Sequence, residues 1–319
     1  MPLTWSVSRD QILHDCERRY YFQYLANAKI NSRDSILREI AFLKKLKNIP
    51  GWKGDAFHSI VAGYFRRVRQ GQFPTVTELV TELQDNMMNE WAFSSNKLFR
   101  TNPRAIDQDG GLALFEHEYE ENPEFEVVPI IDSVAIWLYR FMAWVDDVDL
   151  VGSLARASRI WLEEPVYGPN APGFKFSGAQ VLVKVDLALQ SPDGNFDIFD
   201  WKTGTPFSSN WGQFDSAEFQ VNVYQLWPHL AFGHSLDSIR AHLLYVVADP
   251  VRQQNFGIDE NVREQTLSFI RRSIDRVKQF AGLLGQEKLC LEDCDFALSM
   301  GKCRWCKFKR LCQRMTSDE

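Results

Sequence analysis

The chain has 319 residues, 45% of them hydrophobic and 24% charged, with a net charge of −6 and six cysteines. Such a chain can bury a large core without disulfides, and its composition excludes disordered, collagen-like and rod-like coiled-coil proteins. The opening MPLTWSVSRDQ lacks a basic-then-apolar leader, and the most apolar stretch, 130–145, is interrupted by Asp132 and Arg140. The expectation is a cytoplasmic protein with no membrane association, whose reduced cysteines serve as metal ligands or packed residues. The acidic balance excludes a generally basic coat, but Lys302, Arg304, Lys307, Lys309, Arg310 and Arg314 crowd the last twenty residues among Trp305, Phe308 and three cysteines. A solvated charged face and a metal-stapled basic module both fit that stretch.

In chain order, a helix is predicted from Ser8 to Ala26, with Ser8 and Gln11 as a capping box and Ile12, Cys16, Tyr20 and Tyr24 on one face. Cys16 is thereby expected to point inward. A second helix is expected after Gly54, with His58, Val61, Ala62 and Phe65 on a stripe. From Thr75 to Val148 the periodicity is mostly helical, broken by a polar loop over 102–111. Strands are predicted over Arg159 to Tyr167, Phe176 to Gln190 and Asn195 to Lys202, the last two joined by Ser191-Pro192-Asp193-Gly194 as a hairpin. A helix over Ser216 to Phe232, a buried strand over Arg240 to Val247 and an amphipathic helix over Asp259 to Leu284 complete the pattern. Helices flanking a few central strands indicate an α/β layered core.

The hairpin carries the chemistry. In FDIFDWKTG, strand alternation puts Ile198, Asp200 and Lys202 on one face and Asp197, Phe199 and Trp201 on the other. On the partner strand, VLVKVDLAL, Asp186 interrupts an apolar run, where a carboxylate needs a counter-ion or a bound cation. Two carboxylates and a lysine suit a divalent metal that activates water for attack on a phosphate. A buried Asp–Lys ion pair at a strand end accounts for the same residues.

Segment 178–204, with Gly178, Asp186 and the run Asp200-Trp201-Lys202-Thr203-Gly204, resembles the core motif of the RecB-type branch of the PD-(D/E)XK nuclease superfamily. The opening SVSRDQILHDCERRYYFQYL is similar to the N-terminal helix of its iron-sulfur members, among them the AddB nuclease domain and CRISPR-associated RecB-like exonucleases. GDAFHSIV resembles their histidine motif, Gln220 and Tyr224 their Q-x-x-x-Y helix, and the C-terminal cysteines their cluster motif. The resemblance spans most of the chain outside roughly residues 70–155. It implies a restriction-endonuclease-like core, with His58, Asp186, Asp200 and the Thr203 carbonyl holding Mg²⁺ or Mn²⁺, and Lys202 as the catalytic lysine. Glu164 matches the acidic residue placed before the core strands, next to the alternative Glu163. Val185 stands where the superfamily's name has proline. Gln220 and Tyr224 are implied either to contact a nucleic-acid strand or to buttress the site.

The cysteines allow two readings. Cys290, Cys294, Cys303 and Cys306 have spacing suited to tetrahedral zinc. The resemblance instead implies a [4Fe-4S] cluster on Cys16, Cys303, Cys306 and Cys312, clipping two distant stretches of chain together, with Cys290 and Cys294 as packed residues. The layout read from the sequence is one elaborated nuclease domain: N-terminal helices (1–69), a helical insertion (70–158), the nuclease core (159–284) and a cysteine-rich basic module (285–319). The function implied is a metal-dependent deoxyribonuclease, in exonuclease mode on DNA ends or single strands, serving DNA repair, CRISPR adaptation or phage defence. A helicase or other protein would supply unwinding. The alternative is a catalytically silent DNA-end binding subunit of a larger complex.

Overall fold

The computed structural model describes residues 3–26, 28–119, 125–164, 171–205, 210–211, 214–284, 294–297 and 299–317. Cys290 and residues 165–167 of the predicted first strand lie outside them. Strand β1 (Leu3–Trp5) leads into α1 (Val7–Asp15), capped by Ser6 rather than Ser8: the Ser6 hydroxyl accepts from the Arg9 amide at 3.3 Å. The predicted single helix is broken at Cys16, whose extended backbone (φ −171°, ψ 115°) separates α1 from α2 (Glu17–Tyr20) and a π-helical turn over Tyr21–Leu25. Next comes α3 (Ser35–Leu43), whose first turn is capped by the Asp34 carboxylate, then α4 (Ile49–Arg69), α5 (Val76–Ser95), α6 (Leu98–Thr101), α7 (Phe115–Tyr119), α8 (Val127–Asp147) and α9 (Leu150–Arg156). The strands follow: β2 (Arg159–Leu162), β3 (Gly173–Phe176), β4 (Ala179–Leu182), β5 (Leu187–Gln190) and β6 (Phe196–Lys202). After the short β7 (Asn210–Trp211) and β8 (Phe214–Asp215) come α10 (Ser216–Phe232), β9 (Ile239–Tyr245), β10 (Arg252–Gly257), α11 (Glu260–Leu284), α12 (Met300–Arg304) and α13 (Lys309–Ser317).

Two predicted strands are shorter than expected. The run 176–190 is cut at Ser177-Gly178, both with positive φ (47° and 77°), which turn β3 back onto β4 as a tight hairpin. The first strand stops at Leu162, because Glu163 takes a left-handed backbone (φ 47°). The larger sheet has the order β10-β9-β6-β5-β2. In it β6 runs antiparallel to β5 and parallel to β9, the parallel pair being joined through α10 as such a crossover requires. The smaller sheet has the order β1-β4-β3.

The chain divides into two compact units: Met1–Thr4, Pro50–Met87 and Glu126–Arg271 form the first, and Trp5–Ile49, Met88–Phe125 and Arg272–Glu319 the second. The stretch 70–158 contributes to both units, with 70–87 and 126–158 in the first and 88–125 in the second. In the first unit, the face of β6 that bears Phe199 and Trp201 packs on α4 and α8. There Phe141 meets Phe57, Trp144 and Trp201 with ring centroids 5.1–5.7 Å apart. On the opposite face Phe196 packs against Trp227 of α10, ring centroids 5.5 Å apart. Helix α8 is long and apolar enough to cross a membrane, yet Val134, Leu138, Phe141 and Val145 are fully buried within this unit.

In the second unit, Phe22, Ile40, Phe42, Leu43, Phe99, Phe308 and Leu311 form the core, with Cys306 and Cys312 packed against it. Trp5 donates from Nε1 to Ser273 Oγ (2.7 Å), which in turn bonds the buried Asp10 carboxylate.

Phe141→Ala should empty the centre of the first unit's aromatic cluster and lower unfolding free energy by about 3–5 kcal/mol, whereas Ile136→Ala on the exposed side of α8 should change it by less than about 0.5 kcal/mol. Urea titration followed by circular dichroism measures both.

Candidate active site

The first unit brings four predicted site residues, His58, Asp186, Asp200 and Lys202, to one end of β6. Extending the β5–β6 register by one residue, from Leu187 opposite Phe199, sets Asp186 opposite Asp200. Both carboxylates are buried. Asp186 Oδ2 accepts from the Trp201 amide at 2.8 Å, which leaves Oδ1 facing His58 Nδ1 at 3.0 Å.

His58 comes from α4, on the same stripe as Phe65 and one residue from Phe57. Four residues earlier, Gly54 explains how α4 approaches so closely. A methyl group in its place would lie 3.0 Å from Thr203 Oγ1, just past the end of β6. Thr203, whose carbonyl the sequence offers as a ligand, is therefore adjacent to both β6 and α4.

Of the adjacent acidic pair, Glu163 is the one whose carboxylate reaches His58. The left-handed backbone at 163 directs its carboxylate so that Oε1 lies 3.2 Å from His58 Nδ1, while Oε2 pairs with Lys184 Nζ at 3.2 Å. The Glu163 amide also donates to the Asp186 carbonyl at 3.1 Å, tying the two ligand-bearing segments together. Lys184 was missed in the sequence. Its signal was there: it interrupts the apolar run of VLVKVDLAL two residues before Asp186, on the same strand parity.

The side toward α10 holds the lysine. Lys202 Nζ donates to Gln220 Oε1 at 2.5 Å, and Gln220 Nε2 donates to Tyr224 Oη at 2.8 Å. The four-residue spacing of Gln220 and Tyr224 thus builds a hydrogen-bonded chain that ends on Lys202. Lys202 Nζ also lies 2.7 Å from Asp200 Oδ2, outside hydrogen-bonding geometry, so that buried oxygen has no hydrogen bond.

The electrostatics follow from burial of so many charges. Burial, reinforced by Asp200, pushes the Asp186 carboxyl up to about 6, against the pull of His58. Burial opposes the His58 cation, but the Asp186 and Glu163 carboxylates outweigh it and raise the imidazole to about 10. Lys202 is disfavoured by burial and raised overall by Asp200. Burial, with Asp200 and Asp186 nearby, lifts Tyr224 well above the usual phenol range, so it stays a neutral hydroxyl.

Among the described residues, His58, Glu163 and Asp186 are the group whose ligand atoms all lie within 4.8 Å of one another. An imidazole nitrogen and two carboxylates, beside the unbonded oxygen of Asp200, form a donor set that fits a hard divalent cation. The cysteines among the described residues form no group that compact.

No curated protein matches the sequence significantly. The chain is similar to SSO0001, whose crystal structure aligns at TM-score 0.30 with 13% identity over 62% of this chain and 78% of that one. It is also similar to a protein of Eubacterium rectale provisionally named an exonuclease, at TM-score 0.35 and 12% identity over 88% of this chain and 92% of that one. The family profile that matches residues 4–313 takes in every residue of this site and all but a few of the chain, and the protein belongs to the PD-(D/E)XK nuclease superfamily.

Proposed function

We propose that this superfamily member is a Mg²⁺- or Mn²⁺-dependent deoxyribonuclease acting as an exonuclease on DNA ends or single strands. The observation that carries the reading is the convergence of His58, Glu163 and Asp186 within 4.8 Å, beside Asp200 and a braced Lys202. His58, Glu163, Asp186 and Asp200 would hold the metal. When bound, the ion supplies Lewis acidity and lowers the pKa of a coordinated water.

The remaining work falls to the chain. Lys202, raised by Asp200 and held by Gln220, is an ammonium, so it offers protons and positive charge to a phosphate oxygen rather than accepting a proton. Gln220, fixed from behind by Tyr224, keeps that ammonium from swinging away as negative charge develops. Glu163 orients His58, and Lys184 balances Glu163 from the exposed side.

The [4Fe-4S] reading for Cys16, Cys303, Cys306 and Cys312 belongs to the same proposal. Burial raises the Cys16 thiol, and Cys312 and Cys303 raise it further. Burial likewise raises Cys306, with Cys16 and Cys312 adding to it. The four thiols are therefore electrostatic neighbours. The Arg19 amide donates to Cys16 Sγ at 3.4 Å and Arg18 Nη1 lies 4.0 Å from Cys312 Sγ, donors that suit thiolate ligands. Thiolate ligation fits a reducing cytoplasm, and a partner helicase would supply unwinding in repair, CRISPR adaptation or phage defence.

End-labelled single-stranded and duplex DNA, incubated with Mn²⁺, Mg²⁺ or EDTA, tests the activity and shows its polarity. Asp200→Ala and Lys202→Ala should each lower metal-dependent cleavage by at least about a hundredfold while DNA binding persists. Undiminished cleavage by Asp200→Ala would refute the assignment, and binding without cleavage by the wild type would recast the chain as a DNA-end clamp.

Metal affinity separates the two glutamates: Glu163→Gln should weaken Mn²⁺ binding roughly tenfold or more by calorimetry, and Glu164→Gln should leave it unchanged. Binding must displace the His58 proton, held up to about pH 10 in the metal-free protein, so Mn²⁺ affinity should rise with pH. Calorimetry in buffers of different ionisation enthalpy should show proton release that His58→Ala removes.

For the cluster, anaerobically purified protein should be brown and contain iron and sulfide. Cys16→Ala should be colourless and poorly soluble, while Cys290→Ala and Cys294→Ala keep their colour. Zinc without iron in the wild type would overturn this part of the reading.

A further inference from the structure

The second unit carries a surface that the hydrolytic site does not use. Trp305 is the one tryptophan among the exposed large apolar side chains of the described residues, 57% accessible at the end of α12. Isolated exposed apolar residues are ordinary, so exposure alone decides nothing. What distinguishes Trp305 is its surroundings. The Arg304 guanidinium lies 5.4 Å from its ring centroid, and Phe115 backs it at 6.0 Å in a tilted contact. Lys309 Nζ sits 4.7 Å from the Phe115 ring centroid, and Arg310 stands 4.7 Å from the Tyr119 ring.

The charge around this ring is one-sided. Between Phe296 and Ser317 the sequence has six lysines and arginines and no acidic residue, in a chain of net charge −6. Not all six serve a ligand. Lys302 is paired with Asp15, and Lys307 is half-buried with its ammonium on the Lys44 carbonyl at 2.6 Å. Arg304 remains exposed beside the ring, and Arg310, also exposed, lies over Tyr119 and donates to its carbonyl at 3.3 Å. Phe308, the other aromatic of this stretch, is fully buried against Phe22 and cannot reach a ligand.

We propose that Trp305, with Arg304 beside it and Arg310 on Tyr119 farther along the row Trp305, Phe115 and Tyr119, is a stacking platform for single-stranded DNA on the second unit. The inference rests on the nuclease reading and names its substrate form. A flat accessible ring takes a nucleobase face, and flanking guanidinium groups take the adjoining phosphates. Base pairs in a duplex are already stacked on one another, so the ring selects unpaired strands. An acidic protein partner would need the arginines but not a planar ring.

The test is fluorescence anisotropy of full-length protein with a labelled oligothymidine and with a hairpin duplex, in EDTA so that nothing is cut. Trp305→Ala should weaken single-strand binding about tenfold, leave duplex binding and the melting temperature unchanged, and keep the slope of log Kd against log salt. Trp305→Phe should restore most of the affinity. Arg304→Gln and Arg310→Gln should each reduce the salt slope by about one. Wild-type single-strand affinity in Trp305→Ala overturns the proposal, and so does an equal loss on both substrates. Loss of self-association in that variant, with DNA binding intact, would make the patch an interface between copies and also overturn it. Metal-dependent cleavage by the wild type, assayed separately, shows whether the nuclease reading survives such a failure.

Discussion

Repulsion between two buried carboxylates organises the candidate site of this protein. Asp186 and Asp200 face each other across β5 and β6, where neither can be left uncompensated. Each neighbour of the pair answers that demand. From α4, His58 gives Asp186 an imidazolium; from within β6, Lys202 gives Asp200 an ammonium. The close approach at Gly54 and the bend at Glu163 follow from the need to bring a histidine and its orienting carboxylate to that place. A divalent cation suits the same place, because buried carboxylates accept a metal charge as readily as protonic ones.

The arrangement also separates two tasks by face of the sheet. On one side, Trp201, Phe199, Phe141 and Phe57 form a rigid aromatic wall that sets where α4 lies. On the other, Lys202, Gln220 and Tyr224 form a polar chain whose last member stays a neutral phenol. Because residues along β6 alternate between these environments, one seven-residue strand both anchors the fold and presents the buried polar cluster.

Much of this was legible in the sequence, for physical reasons that differ by residue. The parity of Asp200 and Lys202 follows from strand geometry alone, and α10 was placed residue for residue by its periodicity and the flanking turns. The break at Cys16 was invisible, because the apolar spacing continues through it while the backbone does not. The choice between Glu163 and Glu164 depends on a single left-handed residue, which a non-glycine sequence gives no sign of. The hairpin at Ser177-Gly178 was signalled by its glycine but masked by strong β-formers on both sides. Strand β10 went unread because RQQNFG is polar, as an exposed edge strand tends to be. Trp305 and Phe308 look alike in sequence, and packing separates them.

The division into units has a consequence for how the protein is made. The first unit closes with Arg271, whereas the second draws on Trp5–Ile49 and on Arg272–Glu319. At roughly 5–20 residues per second, the ribosome delivers Cys303 to Cys312 about 15–60 s after Cys16. Throughout that interval the hydrophobic ring of Phe22, Ile40 and Phe42 has no Phe308 or Leu311 to pack on. A nascent chain therefore holds the whole first unit before the second can close its core.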